Sequence, residues 1–113
     1  MSIKVERLNH VLQEEISMIL MTEIKDEKLK FVTITGVETT SDYSYAKVYF
    51  TVLDLSNKKE IKDELNKAAH FIRGKLSERI DIRHTPELKF IYDESISYGE
   101  HIDKIIDKIH ENK

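Results

Sequence analysis

The chain contains no cysteine, a single proline and three glycines. Without cysteine there is neither a disulfide nor a thiolate metal site, and a cytosolic location is expected. Three glycines cannot supply a Gly-rich phosphate loop or dinucleotide turn, and neither motif is present. No stretch approaches the roughly 20 apolar residues needed to cross a bilayer. Val5 to Leu20 interleaves apolar with charged residues, so the N-terminus lacks a signal-peptide pattern. His10, His70, His84, His101 and His110 include no pair at the i, i+4 spacing of a helical metal site. Asp103 and Asp107 share a helix face, but nothing implies the pocket that would split their pKa values. No serine and histidine form a triad motif. Neither catalysis, a metal nor a cofactor is expected.

What is present fits one globular domain over residues 1–113. Hydrophobic residues make up 40% and charged residues 35%, and the net charge is −3. The charge is unevenly spread. Between Lys67 and Lys89 stand six basic residues, Lys67, Arg73, Lys75, Arg79, Arg83 and Lys89, with His70 and His84. Only Glu78, Asp81 and Glu87 oppose them, so this stretch carries +3 and the remainder −6. Such asymmetry can focus a polyanion on one face, although a solvated helix surface gives the same count.

Val5, Leu8, Leu12, Ile16, Ile19 and Leu20 form one helical stripe, predicting a helix over about 6–21 with Ser2 as N-cap. Lys25 to Lys28 reads as a loop. Phe31 to Glu38 is β-branched and aromatic, and Tyr45 to Leu53 alternates with Ala46, Val48, Phe50 and Val52 on one face. Thr40-Ser41-Asp42 supplies the turn of an antiparallel hairpin. Lys58 to Ile80 carries a second stripe, Ile61, Leu65, Ala68, Ile72, Leu76 and Ile80, with Asn57 and Glu60 spaced as a capping box. At 100° per residue Phe71 falls off that stripe and Arg79 falls on it, so a break or kink is predicted near Ala68–His70. Leu88 to Asp93 reads as a third strand. Ser97 with Glu100, then Tyr98, Ile102, Ile105, Ile106 and Ile109, reads as a short closing helix. The order α-β-β-α-α-β predicts an α+β fold with helices on one face of a three-stranded sheet. Tyr43, Tyr45 and Tyr49 are candidates for stacking on bases, or simply for covering a sheet edge.

These segments resemble the bacterial ribosome-binding factor A family over nearly the whole chain. The resemblance rests on Val32-Thr33-Ile34-Thr35-Gly36-Val37-Glu38 followed by Asp42 to Phe50. It continues through Phe71-Ile72-Arg73, Leu76 to Arg79, Ile82-Arg83, Pro86 to Phe90, and Asp93 with Ser95. Arg7, Glu15, Ile16 and Ile19-Leu20 in the first helix are also similar. The resemblance implies a type II KH-like domain in which a kinked helix pair, joined at an Ala-x-Gly step, replaces the usual GxxG loop. The corresponding residues here are Ala68, Ala69 and His70, with histidine where the family has glycine.

It further implies an assembly factor, not an enzyme. Such a protein binds the free small (30S) ribosomal subunit, assists late maturation of 16S rRNA at its 5′ end, leaves before translation and matters most in the cold. The partner is then the small subunit and its rRNA, not DNA or a membrane, and the protein acts as a monomer. Phosphate contacts are expected from Lys67, His70, Arg73, Lys75, Arg79, Arg83 and Lys89. Periodicity by itself also admits an α+β module that binds protein or a small ligand.

Overall fold

A computed structural model describes residues 3–53 and 55–95. The expected Ser2 cap and the closing helix from Ser97 lie outside the described residues. The elements are α1 (Ile3–Thr22), β1 (Thr33–Thr39), β2 (Tyr45–Thr51), α2 (Lys58–Arg79) and β3 (Glu87–Tyr92). Single 3₁₀ turns at Glu27–Phe31 and Leu55–Asn57 precede β1 and α2. Strand β2 is central, antiparallel to β1 and parallel to β3. The alternation predicted for β2 is observed: Ala46, Val48 and Phe50 are buried, while Tyr45 and Lys47 are exposed. This is the α+β, KH-like arrangement, with both helices packed on one face of a mixed sheet.

The core joins Leu12, Ile16, Ile19 and Leu20 of α1 to Ile61, Leu65, Ile72 and Leu76 of α2 across Val48, Phe50 and Phe90. Burial of each such side chain is worth roughly 1.5–3 kcal/mol. Phe50 meets Tyr92 edge to face at 5.6 Å. Among the described residues, no helix is long and apolar enough to cross a membrane.

The helices also cover the open edges of the sheet. An edge strand leaves backbone N–H and C=O groups unpaired. On β1, the Asn9 side chain accepts from Thr39 N–H at 2.9 Å, and Gln13 donates to the Ile34 carbonyl at 3.1 Å. On β3, Asn66 accepts from Phe90 N–H at 2.9 Å and donates to the Phe90 carbonyl at 3.2 Å. That one amide stands in for a neighbouring strand. Three amides at the flanks of the helical stripes thus bond part of each edge.

One expectation is corrected. A break or kink is expected near Ala68–His70, but no break occurs: residues 58–79 form one continuous helix of 22 residues, so the observed order is α-β-β-α-β. Both anomalies that suggested the break are absorbed without one. Phe71 is partly exposed, with the Lys75 ammonium 5.5 Å from its ring centroid. Arg79 sits on the inward side but turns its guanidinium to acids on α1. Ala68, Ala69 and His70 all tolerate helical geometry, and Gly74 faces open space. The capping box is also corrected. Asn57 makes no side-chain cap bond, and Glu60 instead pairs with Lys28 of the first 3₁₀ turn, raising the lysine pKa.

Candidate nucleic-acid interface

The basic stretch occupies one continuous helix, the loop after it and β3, so its members diverge at 100° per residue. Lys75 and Arg79 lie on the flank of α2 that faces α1. Arg79 Nε donates to Glu15 at 2.7 Å, and its Nη1 lies 3.4 Å from Glu23. Lys75 Nζ lies 3.9 Å from Glu23 and 4.0 Å from Glu78. These two cations are neutralised at the helix–helix junction.

Arg73 lies on the opposite flank. Its Nε donates to the Thr85 carbonyl at 2.9 Å, and Ser77 Oγ donates to Thr85 Oγ1 at 2.9 Å. Together they fasten the loop that leads through buried Pro86 into β3. Arg73 faces no carboxylate within ion-pair distance among the described residues, so its charge remains available. It lines a groove of about 420 Å³ with Asn66, Ala69, His70, Glu87 and Leu88. His70 is exposed at the rim. Lys67, one turn earlier, is 76% exposed and has only Glu64, at 3.7 Å, as an ionic neighbour. Surface pairs of this kind are worth roughly 0–1 kcal/mol and yield readily to a phosphate.

The remaining two candidates stand elsewhere. Arg83 and His84 line a second groove of about 510 Å³ with Leu8, Ile82, Asp42 and Tyr43. Lys89 projects from the sheet face opposite the helices, in register with Lys47 of β2. Lys67, His70 and Arg73 therefore gather along one side of α2. Lys75, Arg79, Arg83 and Lys89 are not part of that group.

The hairpin turn beside Arg83 is tightly built. Asp42 accepts from the Ser44 hydroxyl at 2.7 Å, the Thr40 hydroxyl at 2.8 Å and Ser44 N–H at 3.1 Å. These bonds hold its carboxyl at about 2, the Ser44 hydroxyl contributing most. Tyr43 is thereby kept at φ 63°, a left-handed conformation unusual for a bulky residue. Glu87 N–H donates to the Ser44 carbonyl at 3.0 Å, which ties the turn to the start of β3. Of the other tyrosines, Tyr45 is 54% exposed, whereas Tyr49 donates to Glu38 at 3.0 Å. Desolvation, reinforced by Glu38, pushes the Tyr49 hydroxyl above its ordinary pKa.

Sequence reasoning missed Asn66. It carries no charge and so escaped the charge count, yet it lines the groove and bonds the edge of β3. Its position beside the stripe residue Leu65 was the available signal.

The comparisons with known proteins agree with this architecture. The profile of the family described as "Ribosome-binding factor A" matches residues 4–106. A ribosome-binding factor A of Staphylococcus epidermidis is 44% identical over 114 residues, covering 98% of this chain and 97% of that protein. One from Ligilactobacillus salivarius is 40% identical over 109 residues, covering 95% and 92%. The crystal structure of ribosome-binding factor A from Thermus thermophilus superposes with a TM-score of 0.70 at 20% identity, over 78% of this chain and 94% of that one. The solution structure of a putative ribosome-binding factor A from Thermotoga maritima gives 0.68 at 29% identity, over 79% and 86%. A Thermus thermophilus ribosome-binding factor A fitted into a map of a 30S complex gives 0.64 at 20% identity, over 78% and 93%. The family is one of ribosome-binding factors and not of enzymes. With its profile matched over residues 4–106 and relatives of 40% and 44% identity along nearly its full length, the chain belongs to the ribosome-binding factor A family.

Proposed function

We propose that this protein binds the free small ribosomal subunit through its rRNA, assists late maturation of 16S rRNA at the 5′ end, and leaves before translation. Family membership over residues 4–106 is the observation that carries this reading. A Thermus thermophilus member is described in a complex with the 30S subunit. The groove along α2 supplies the chemistry. Lys67 and Arg73 carry charge to phosphates beside exposed His70, and Gly74, which has no side chain, leaves the nearby helix surface open to close approach. Binding one conformer of a maturing rRNA shifts the population toward it by mass action, which requires no catalysis. The protein acts in the cytoplasm as a monomer, without cofactor, DNA or membrane, and is most needed in the cold, where misfolded rRNA escapes slowly.

Depletion from cells followed by a cold shift tests this. Precursor 16S rRNA with an unprocessed 5′ end should accumulate in the small-subunit fraction, and a wild-type copy should clear it. Normal processing after depletion in the cold would refute the maturation role.

A further inference from the structure

Beside the hairpin turn, Leu8 of α1 and Ile82 of the loop after α2 line a groove of about 510 Å³ together with Asp42, Tyr43, Arg83 and His84. Its size falls in the roughly 300–1,000 Å³ range of small-ligand clefts. Leu8, Tyr43 and Ile82 are half-buried, whereas Arg83 and His84 are exposed. Among the described residues neither Arg83 nor His84 has a carboxylate within ion-pair distance. Asp42, the acid of the groove, is bonded through Oδ1 to Thr40 and Ser44. An apolar cleft with an uncommitted guanidinium at its rim is the result.

Tyr43 is the unexpected member. At φ 63° it adopts a conformation that glycine or asparagine takes at lower cost. Residues strained in this way persist only where their surroundings over-determine them, and they cluster at ligand sites. Here the turn supplies the constraint. Tyr43 N–H donates to the Thr40 carbonyl at 2.9 Å, and Thr40 N–H to the Tyr45 carbonyl at 2.8 Å. The Tyr43 side chain itself makes no hydrogen bond or aromatic contact among the described residues. The fold thus holds an aromatic ring rigidly at the groove without using its hydroxyl or its faces for a bond of its own.

The groove also borders the segment that leads from the basic one. Ile82, Arg83 and His84 line it, while Glu87 and Leu88 line the groove on α2. Arg73 fastens the chain between them at the Thr85 carbonyl. The flat apolar face of a base suits Leu8, Tyr43 and Ile82, and its phosphate suits Arg83. We infer that this groove receives one unpaired base of single-stranded RNA, stacked on Tyr43, with Arg83 and His84 at the adjoining phosphate. The inference rests on the RNA binding proposed above and adds to it a base contact that the α2 groove, without an aromatic lining, does not supply.

The test uses the full chain, ¹⁵N-labelled, and a short single-stranded oligoadenylate, with no subunit present. Amides of Tyr43, Ile82, Arg83 and His84 should shift on titration. Those of Phe31 and Leu53, exposed at the opposite, apolar end of the sheet, should not. Tyr43→Gly removes the ring yet suits the left-handed backbone, so the fold is kept. It should weaken oligoadenylate binding at least about fivefold, the lower end of the effect of one stacked base. Tyr43→Phe should bind like the parent, and an abasic strand of equal length should not distinguish parent from Tyr43→Gly. Equal oligoadenylate affinity of parent and Tyr43→Gly overturns the inference, as do shifts confined to the α2 groove or absent from both. A short polyglutamate that shifts the Tyr43 and Arg83 amides equally also overturns it, since the groove then takes acidic peptide. None of these results touches the wider reading, which falls instead if depletion leaves 16S rRNA processing normal in the cold.

Discussion

Replacing Lys67 and His70 together by glutamate lowers affinity for purified small subunits by at least about tenfold at moderate salt, a loss of about 1.4 kcal/mol. Thermal unfolding stays close to that of the parent protein. Both side chains point away from the core, and neither fastens one element to another. Their loss is therefore felt at the ligand and not in the fold. Each phosphate contact removed should also flatten the dependence of log K on log salt by roughly one unit. Co-sedimentation across a salt series reads both quantities. Lys75 and Arg79 are poorer probes of binding. They neutralise Glu15 and Glu23, so reversing them would bring like charges together between α1 and α2 and confuse stability with affinity.

Asn66→Ala should lower stability by about 2 kcal/mol. The substitution leaves both the N–H and the C=O of Phe90 without partners on the edge of β3. An unsatisfied buried polar group costs roughly 1–3 kcal/mol. The higher helix propensity of alanine returns only a few tenths of a kcal/mol. For a domain of this size, 2 kcal/mol corresponds to a fall in Tm of roughly 10 °C. Differential scanning calorimetry measures it, and an unchanged Tm would show that water or a shifted side chain replaces the amide. The bared edge should also raise the tendency to self-associate on heating.

The sheet was legible in the sequence because the alternation in Tyr45–Thr51 obeys the period of a half-buried strand, and Thr40–Asp42 announces the turn. Helix α1 was legible for the same reason at period 3.6. The continuity of α2 was not. A helical wheel treats every off-stripe apolar residue and every on-stripe cation as an error, whereas Phe71 shelters under Lys75 and Arg79 reaches Glu15, 64 residues away. The Phe71–Lys75 pair is local, at i, i+4, but a wheel of apolar residues does not register it, and the Arg79–Glu15 partnership leaves no local pattern at all. The grouping of the candidate site residues was hidden for a related reason. A count along the chain adds Lys67, Arg73, Lys75 and Arg79 into one patch, but successive helical positions diverge, and the acids that take up Lys75 and Arg79 come from another helix. The structure groups Lys67, His70 and Arg73 on one side of α2 and sets Lys75 and Arg79 on the other. The 3₁₀ turn at Glu27–Phe31 was likewise hidden. Its cap, the Asp26 carboxylate accepting Lys28 N–H at 3.0 Å, and buried Leu29 look in sequence like a charged loop running into a strand.

The central claim is that the outer side of α2, around His70, meets small-subunit rRNA. A photo-crosslinking amino acid placed at position 70 and, in a separate protein, at position 53 tests it most directly. Each variant is bound to free small subunits and irradiated, and the adducts are mapped. Position 70 should crosslink to 16S rRNA at a defined site, while position 53, at the apolar end, should give little or no RNA adduct. RNA crosslinks from position 53 with none from position 70 would contradict the account.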